Sequence, residues 1–159
     1  MRKIDDLDIA IASALDADCR ASNRQIARQL NVSEKTVRQR VTRMLESGAL
    51  NLSARLSHKS LKDLFLAIVG INLTGSPEEV TKTISAIPGT LFIVTVTGRY
   101  DLLAGIAVSS RDMLAQIITK EIDHIEGVTN TETYVVLESI GVDVNASKVA
   151  KLYTDLVSL

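Results

Sequence analysis

The sequence predicts an α+β protein: a winged helix-turn-helix over residues 1–56, a hinge at 57–64, and a ferredoxin-like βαββαβ domain with a C-terminal helix over 65–159. Three observations carry this prediction. Two short, separately capped helices fit between Ser22 and Leu50 with a tight joint between them. Positive charge is concentrated in that segment. The second half alternates aliphatic strand patterns with two amphipathic helices.

The first helix is marked by Ile4, Leu7, Ile11, Ala14 and Leu15, an apolar side at helical spacing. Ser22 caps the second, and Gln25 three residues later completes a capping box. Ile26, Ala27 and Leu30 form its buried side, and Asn31 ends it at a position suited to left-handed backbone. Ser33 caps the third helix, with Val37, Val41, Met44 and Leu45 as its buried stripe and Gly48 as its stop. Asn51 to Leu56 then alternates as a wing strand would, and Ser57 to Asp63 is polar enough to form a hinge.

In the second half, Phe65–Leu73 reads as a strand, and Ser76-Pro77-Glu78-Glu79 as a strong helix start: cap, proline, then acids in the first turn. Val80, Ile84 and Ile87 form the apolar face of that helix. Strands are expected at Leu91–Thr97 and Leu102–Val108, joined by a Gly98-Arg99-Tyr100 turn. A second helix starts at Ser110 and turns Leu114, Ile117, Ile118, Ile122 and Ile125 inward; Val128–Glu138 is the last strand. Ile84-x-x-Ile87-Pro-Gly matches Ile122-x-x-Ile125-Glu-Gly at a spacing of 38, the internal repeat of a split βαβ fold. With both helices on one side, strands apolar on both sides leave a second sheet face to be covered. That face predicts self-association, which a charge at Val69 should disrupt. The tail, with Val149, Leu152, Tyr153 and Leu156 at helical spacing, could cover part of it.

Charge points to the task of the first half. Arg20 to Arg43 contains seven basic residues and one acid, while the whole chain has a net charge of −1. Lys35, Gln39 and Arg43 recur at i, i+4 and i+8, flanked by Arg38 and Arg40, with Ser33 and Thr36 at the helix start. Arginine and lysine reach phosphates or guanine, and glutamine pairs with adenine, so these seven residues are the candidate contacts to double-stranded DNA. A lone cysteine, Cys19, permits no internal disulfide and suits a reducing cytoplasm. No apolar run is long enough for a membrane span, and no secretory leader is expected. His58 and His124 fit no metal spacing. No phosphate loop, paired catalytic carboxylates or Ser-His-Asp set occurs, so neither catalytic residues nor a cofactor are expected.

Ile4-Asp5-Asp6-Leu7-Asp8, Asn31-Val32-Ser33, Gly98-Arg99-Tyr100-Asp101 and Thr131-Glu132-Thr133-Tyr134-Val135-Val136 occur in an order and spacing that resembles the Lrp/AsnC (feast/famine) transcription regulators over nearly the full length. The resemblance implies a ligand-sensing second domain, dimers that assemble to tetramers or octamers, and control by an amino acid or related carboxylate. It assigns effector contacts to Gly98, Arg99, Tyr100, Asp101, Thr131, Thr133 and Tyr134. Arg99 stands where the family turn usually has an acid, which favours a ligand carboxylate over an ammonium. Tetrapyrrole (sirohaem-type) decarboxylases are similar to this family in both halves, but need no basic DNA-facing helix; Lys35, Arg38, Arg40 and Arg43 argue against that alternative.

Overall fold

A computed structural model describes residues 3–61, 63–139, 142–150 and 152. The chain divides into two compact units, Met1–Leu52 and Ser53–Leu159. In the first, α1 (Asp6–Ala17), α2 (Asn23–Gln29) and α3 (Glu34–Glu46) surround a core of Ile11, Ala14, Leu15, Ile26, Ala27, Val37 and Met44. The predicted caps form: Ser22 accepts from the Gln25 N–H and Ser33 from the Thr36 N–H at 3.0 Å. Asn31 has φ 53°, the left-handed turn expected between α2 and α3. Two apolar assignments do not hold. Ile4 precedes α1, and Leu45 lies off the Val37–Met44 line; both are exposed.

The wing expected at Asn51–Leu56 also fails to form. The strand that does appear, β1 (Arg55–Ser57), belongs to the second unit, so the boundary moves from residue 56 to 52. There it pairs antiparallel with β6 (Asp143–Asn145), Leu56 opposite Val144. The reason is hydrogen bonding. The described residues of the first unit are helical or irregular and present no strand edge, whereas β6 supplies one.

The second unit has the predicted βαββαβ order: β2 (Phe65–Leu73), α4 (Pro77–Ala86), β3 (Thr90–Thr95), β4 (Leu102–Val108), α5 (Arg111–Gln116) and β5 (Val128–Val135), followed by β6 and α6 (Ala146–Ala150). The main sheet runs β3-β4-β2-β5, every neighbour antiparallel. Ala67, Val69, Ile71, Leu102, Ala104 and Ile106 point to one side and meet Val80 and Ile84 of α4 and Leu114 of α5. α5 does not continue as a plain α-helix. Ile117–Ile122 forms a π turn, with the Asp123 N–H reaching the Ile118 carbonyl at 2.9 Å. Ile117 and Ile122, five residues apart, would face different ways on an α-helix; the wider turn brings both into the core. The two repeat motifs end alike, at Gly89 (φ 90°) and Gly127 (φ 93°).

The other sheet face is only partly covered. Leu66 and Ala107 are buried there under Val144 of β6 and Val149 of α6, with Leu152 against them. Tyr153 and Leu156 of the expected tail helix, and the side chain of His58, lie outside the described residues. Towards the other end, Ile68, Phe92, Val94 and Tyr134 remain more than a third exposed. Two glycines admit aromatic rings on this face. A Cβ on Gly105 would lie 2.2 Å from the Phe92 ring, and one on Gly70 would lie 2.7 Å from that of Tyr100. Val69, in contrast, is fully buried under the helices. Val69→Asp therefore places a carboxylate in the core instead of testing association, and Ile68 is the position on the open face. Ile84→Ala is expected to destabilise the second unit by about 2–5 kcal/mol in urea unfolding, because a fully buried branched side chain leaves a cavity.

Candidate nucleic-acid interface and effector turn

The candidate DNA residues divide into two groups. Lys35, Arg38 and Gln39 are exposed on one side of α3, together with Thr42, which the sequence reading missed although it lies at i+7 from Lys35. Lys35 and Arg38 make no ion pair with another described residue, and the same holds for the exposed Arg24 and Arg28 of α2. Ser33 and Thr36 are occupied with each other at the N-terminus of α3, their hydroxyls 2.7 Å apart.

Arg40 and Arg43 turn towards α1. Arg40 Nη1 donates to both Asp5 oxygens at 2.6 Å and to Asp8 Oδ1 at 2.9 Å. Arg43 Nη2 donates to both Asp8 oxygens at 2.7 Å. Asp5 and Asp8 also form the capping box of α1, each accepting from the other's backbone N–H. Four donor groups thus converge on two carboxylates, and Asp8 is wholly buried. The Asp5-Asp6-Leu7-Asp8 opening carried the signal: two acids at capping-box spacing, with arginines three apart on α3 to match. Hydrogen bonding from Arg40, then from the Asp8 backbone, lowers the Asp5 carboxyl from 3.8 to about 2. The same bonds hold the Arg40 proton more firmly than usual.

The effector candidates also separate. Glu132, on β5 opposite Gly70, accepts from the Tyr100 hydroxyl, accepts from the Tyr134 hydroxyl at 2.8 Å, and pairs with Arg99 at 2.8 Å. It is the centre of this cluster and was not among the predicted residues. A carboxylate within two residues of three predicted contacts, facing a turn with an arginine, was the available clue. Tyr100 and Tyr134 meet edge to face with centroids 6.5 Å apart. The Tyr100 hydroxyl holds Glu132 below the usual carboxylate range, and desolvation together with Glu132 raises Tyr100. Asp101 Oδ2 accepts the Leu73 N–H at 2.8 Å, and Asn72 donates to the Arg99 carbonyl at 2.7 Å, so the Gly98–Asp101 turn is stitched to the end of β2. Both charges of the turn therefore have partners within the chain.

Thr131 and Thr133 pair with Ile71 and Val69, which places them on the helix-facing side, away from Tyr134. Thr131 donates to Asp123 Oδ1 at 2.7 Å. Both line a cleft of about 280 Å³ with Val128, Thr129 and Asn130, where the π turn runs into β5. Among the described residues, no group of three or more His, Cys, Asp or Glu side chains could hold a metal ion, and no helix is long and apolar enough to cross a membrane.

A helix-turn-helix with an exposed basic third helix, followed by a ferredoxin-like unit, is the architecture of a DNA-binding regulator with a second domain. The description "AsnC-type helix-turn-helix domain" matches residues 4–45, and "Lrp/AsnC ligand binding domain" matches residues 66–143. An HTH-type transcriptional regulator of Pyrococcus furiosus is 32% identical over 89% of this chain and 96% of its own. The regulator LrpA1 of Halobacterium salinarum is 30% identical over 75% and 85%. Among solved structures, E. coli AsnC superposes with a TM-score of 0.71 at 26% identity, covering 87% of this chain and 95% of that one. A Neisseria meningitidis regulator solved as an L-Met complex has the same fold, with a TM-score of 0.72 at 19% identity over 88% and 94%. The chain belongs to the Lrp/AsnC family of DNA-binding transcription regulators.

Because folding weakens proton binding at Asp5, its stabilisation is complete above 3.8 and is lost as pH falls through about 2. Urea unfolding of the helical unit between pH 6 and pH 2 is expected to show this loss, and Asp5→Asn to flatten it.

Proposed function

We propose that this chain is an oligomeric, non-enzymatic regulator acting in the cytoplasm, which reads operator DNA with α3 and is tuned by an amino acid or related carboxylate. The single observation that carries the DNA assignment is the Lys35–Arg38–Gln39–Thr42 face, exposed and free of internal ion pairs among the described residues. Arg24 and Arg28 extend the charge onto α2, the helix that crosses the backbone in helix-turn-helix docking. Gel shift with the promoter region of its own gene tests the reading. Lys35→Ala/Arg38→Ala is expected to reduce the slope of log affinity against log salt by about two phosphate contacts, since each releases counterions. Gln39→Ala is expected to relax base preference with little change in that slope. Full binding by the double variant would overturn the assignment.

Association is supported by the open sheet face of Ile68, Phe92, Val94 and Tyr134, an apolar surface that a two-half-site DNA reader can use to pair. Light scattering on Ile68→Asp is expected to show smaller assemblies with an unchanged far-ultraviolet spectrum.

For the effector, the cleft at Asp123 and Thr131 offers one carboxylate among hydroxyl and amide groups, complementary to an ammonium. The Neisseria relative was solved with L-Met, which supports an amino-acid ligand here. The Gly98–Asp101 turn, its charges matched by Glu132 and by the Leu73 N–H, serves in this reading to shape the sheet end. Calorimetric screening of the twenty amino acids and common keto acids is expected to find a ligand whose binding falls at least tenfold in Asp123→Ala and is little changed in Arg99→Ala. The reverse pattern would return the effector to the turn.

A further inference from the structure

We infer that Asp8 is a positioning residue for DNA binding: it holds Arg43 through Nη2 so that Nη1 of the guanidinium meets a backbone phosphate beside the α3 face. This rests on α3 being the DNA-reading helix.

The geometry separates the two nitrogens. Arg43 Nη2 is shared between the two Asp8 oxygens, at 2.7 Å from each. A guanidinium has five N–H donors in a rigid plane, and those on Nη1 and Nε are not engaged by Asp8. Among the described residues they have no partner, and the side chain is 39% exposed although its anchor is 0% exposed. Arg40 completes the anchor by donating to Asp8 Oδ1 from the other side and reaching on to Asp5. Arg43 lies at i+4 from Gln39 and i+8 from Lys35, hence on the α1-facing rim of the exposed surface of α3.

An arginine free on a surface surrenders rotamer entropy when it binds phosphate; one already fixed by a buried carboxylate surrenders little. Its Nη1 then offers a charge-assisted donor to a phosphate from a set position. Such a contact orients the helix without reading sequence, which fixes the register in which Gln39 meets a base.

The test uses the full chain and a fluorescent duplex from its own promoter, with anisotropy measured across a salt series. Asp8→Asn/Arg43→Met removes both charges together, so no buried carboxylate is orphaned. Its binding is expected to weaken several-fold, with the salt slope reduced by about one phosphate contact. Asp8→Asn alone leaves the arginine present but unanchored. It is expected to keep the wild-type slope, to bind less tightly, and to discriminate less between operator and mismatched duplex. If the double variant melts normally and binds with wild-type affinity and slope, the inference is overturned. Lys35→Ala/Arg38→Ala tells this failure from failure of the underlying reading, because it loses slope if α3 is the DNA helix whatever Arg43 does. If the double variant does not fold, nitrogen-15 spectra of the arginine side chains in the unaltered protein decide. The Arg43 Nε–H resonance is expected to shift on addition of duplex, and an unshifted resonance at saturation overturns the inference.

Discussion

The Asp8 carboxylate is fully buried, and the helical unit is built around neutralising it. An isolated buried carboxylate costs several kcal/mol, and the cost is recovered only when the lone pairs are satisfied with good geometry. Here the Asp5 N–H, Arg40 and Arg43 satisfy them. Because the cap lies at the start of α1 and the arginines on α3, the same contacts that close one helix fix its attachment to the other. The apolar core could tolerate a range of helix crossings; the charge cluster accepts few. The orientation of the Lys35–Thr42 surface on α3 is therefore set by groups on the adjoining, α1-facing side of that helix.

The second unit meets the opposite problem, an excess of apolar surface. One side of its sheet is buried by α4, α5 and the π turn, and the other is divided. At one end β6 and α6 cover Leu66 and Ala107, and Lys148 donates to the carbonyls of Thr90 and Leu91 at 2.8 and 2.9 Å. At the other end, aromatic rings lie flat on Gly105 and Gly70, which lowers the relief of the surface. The Glu132 cluster terminates this apolar stretch with a knot of tyrosines and one ion pair. The exposed face thus has a polar boundary, as recognition surfaces do.

Much of this was legible in the sequence, and the failures are instructive. Caps, helix stops and the βαββαβ order were readable because each depends on a few neighbouring residues: Ser22 with Gln25, Ser33 with Thr36, Pro77 after Ser76. The β1–β6 pairing was not, since a three-residue alternation names no partner. Leu56 would suit a wing as well as it suits Val144. The pairing of Arg40 and Arg43 with acids far back in the chain was hidden for the same reason. Counting charge in the segment from Arg20 to Arg43 treated every cation as free, although two have acidic partners outside it. Strand parity misassigned Thr131 and Thr133 relative to Tyr134. All three are close in sequence, but successive residues of a strand point to opposite faces. The Gly98–Asp101 turn was read as bare charge, whereas Arg99 pairs with Glu132 of β5 and Asp101 accepts from the Leu73 N–H of β2.

The pairing of β1 with β6 joins residues 88 apart in the chain, Arg55 donating to the Asp143 carbonyl at 2.9 Å. During synthesis from the N-terminus, the helical unit has every contact of its own core by the time Leu52 has left the ribosome. The strand that follows it has no partner until the last part of the chain emerges. For most of translation, then, a finished helix-turn-helix trails an unpaired β edge, and the open sheet of a half-made second unit lacks its cover of Val144 and Val149. Long-range closures of this kind are the slow and aggregation-exposed steps of folding. The nascent chain can therefore acquire its DNA-reading surface before it acquires a protected sheet.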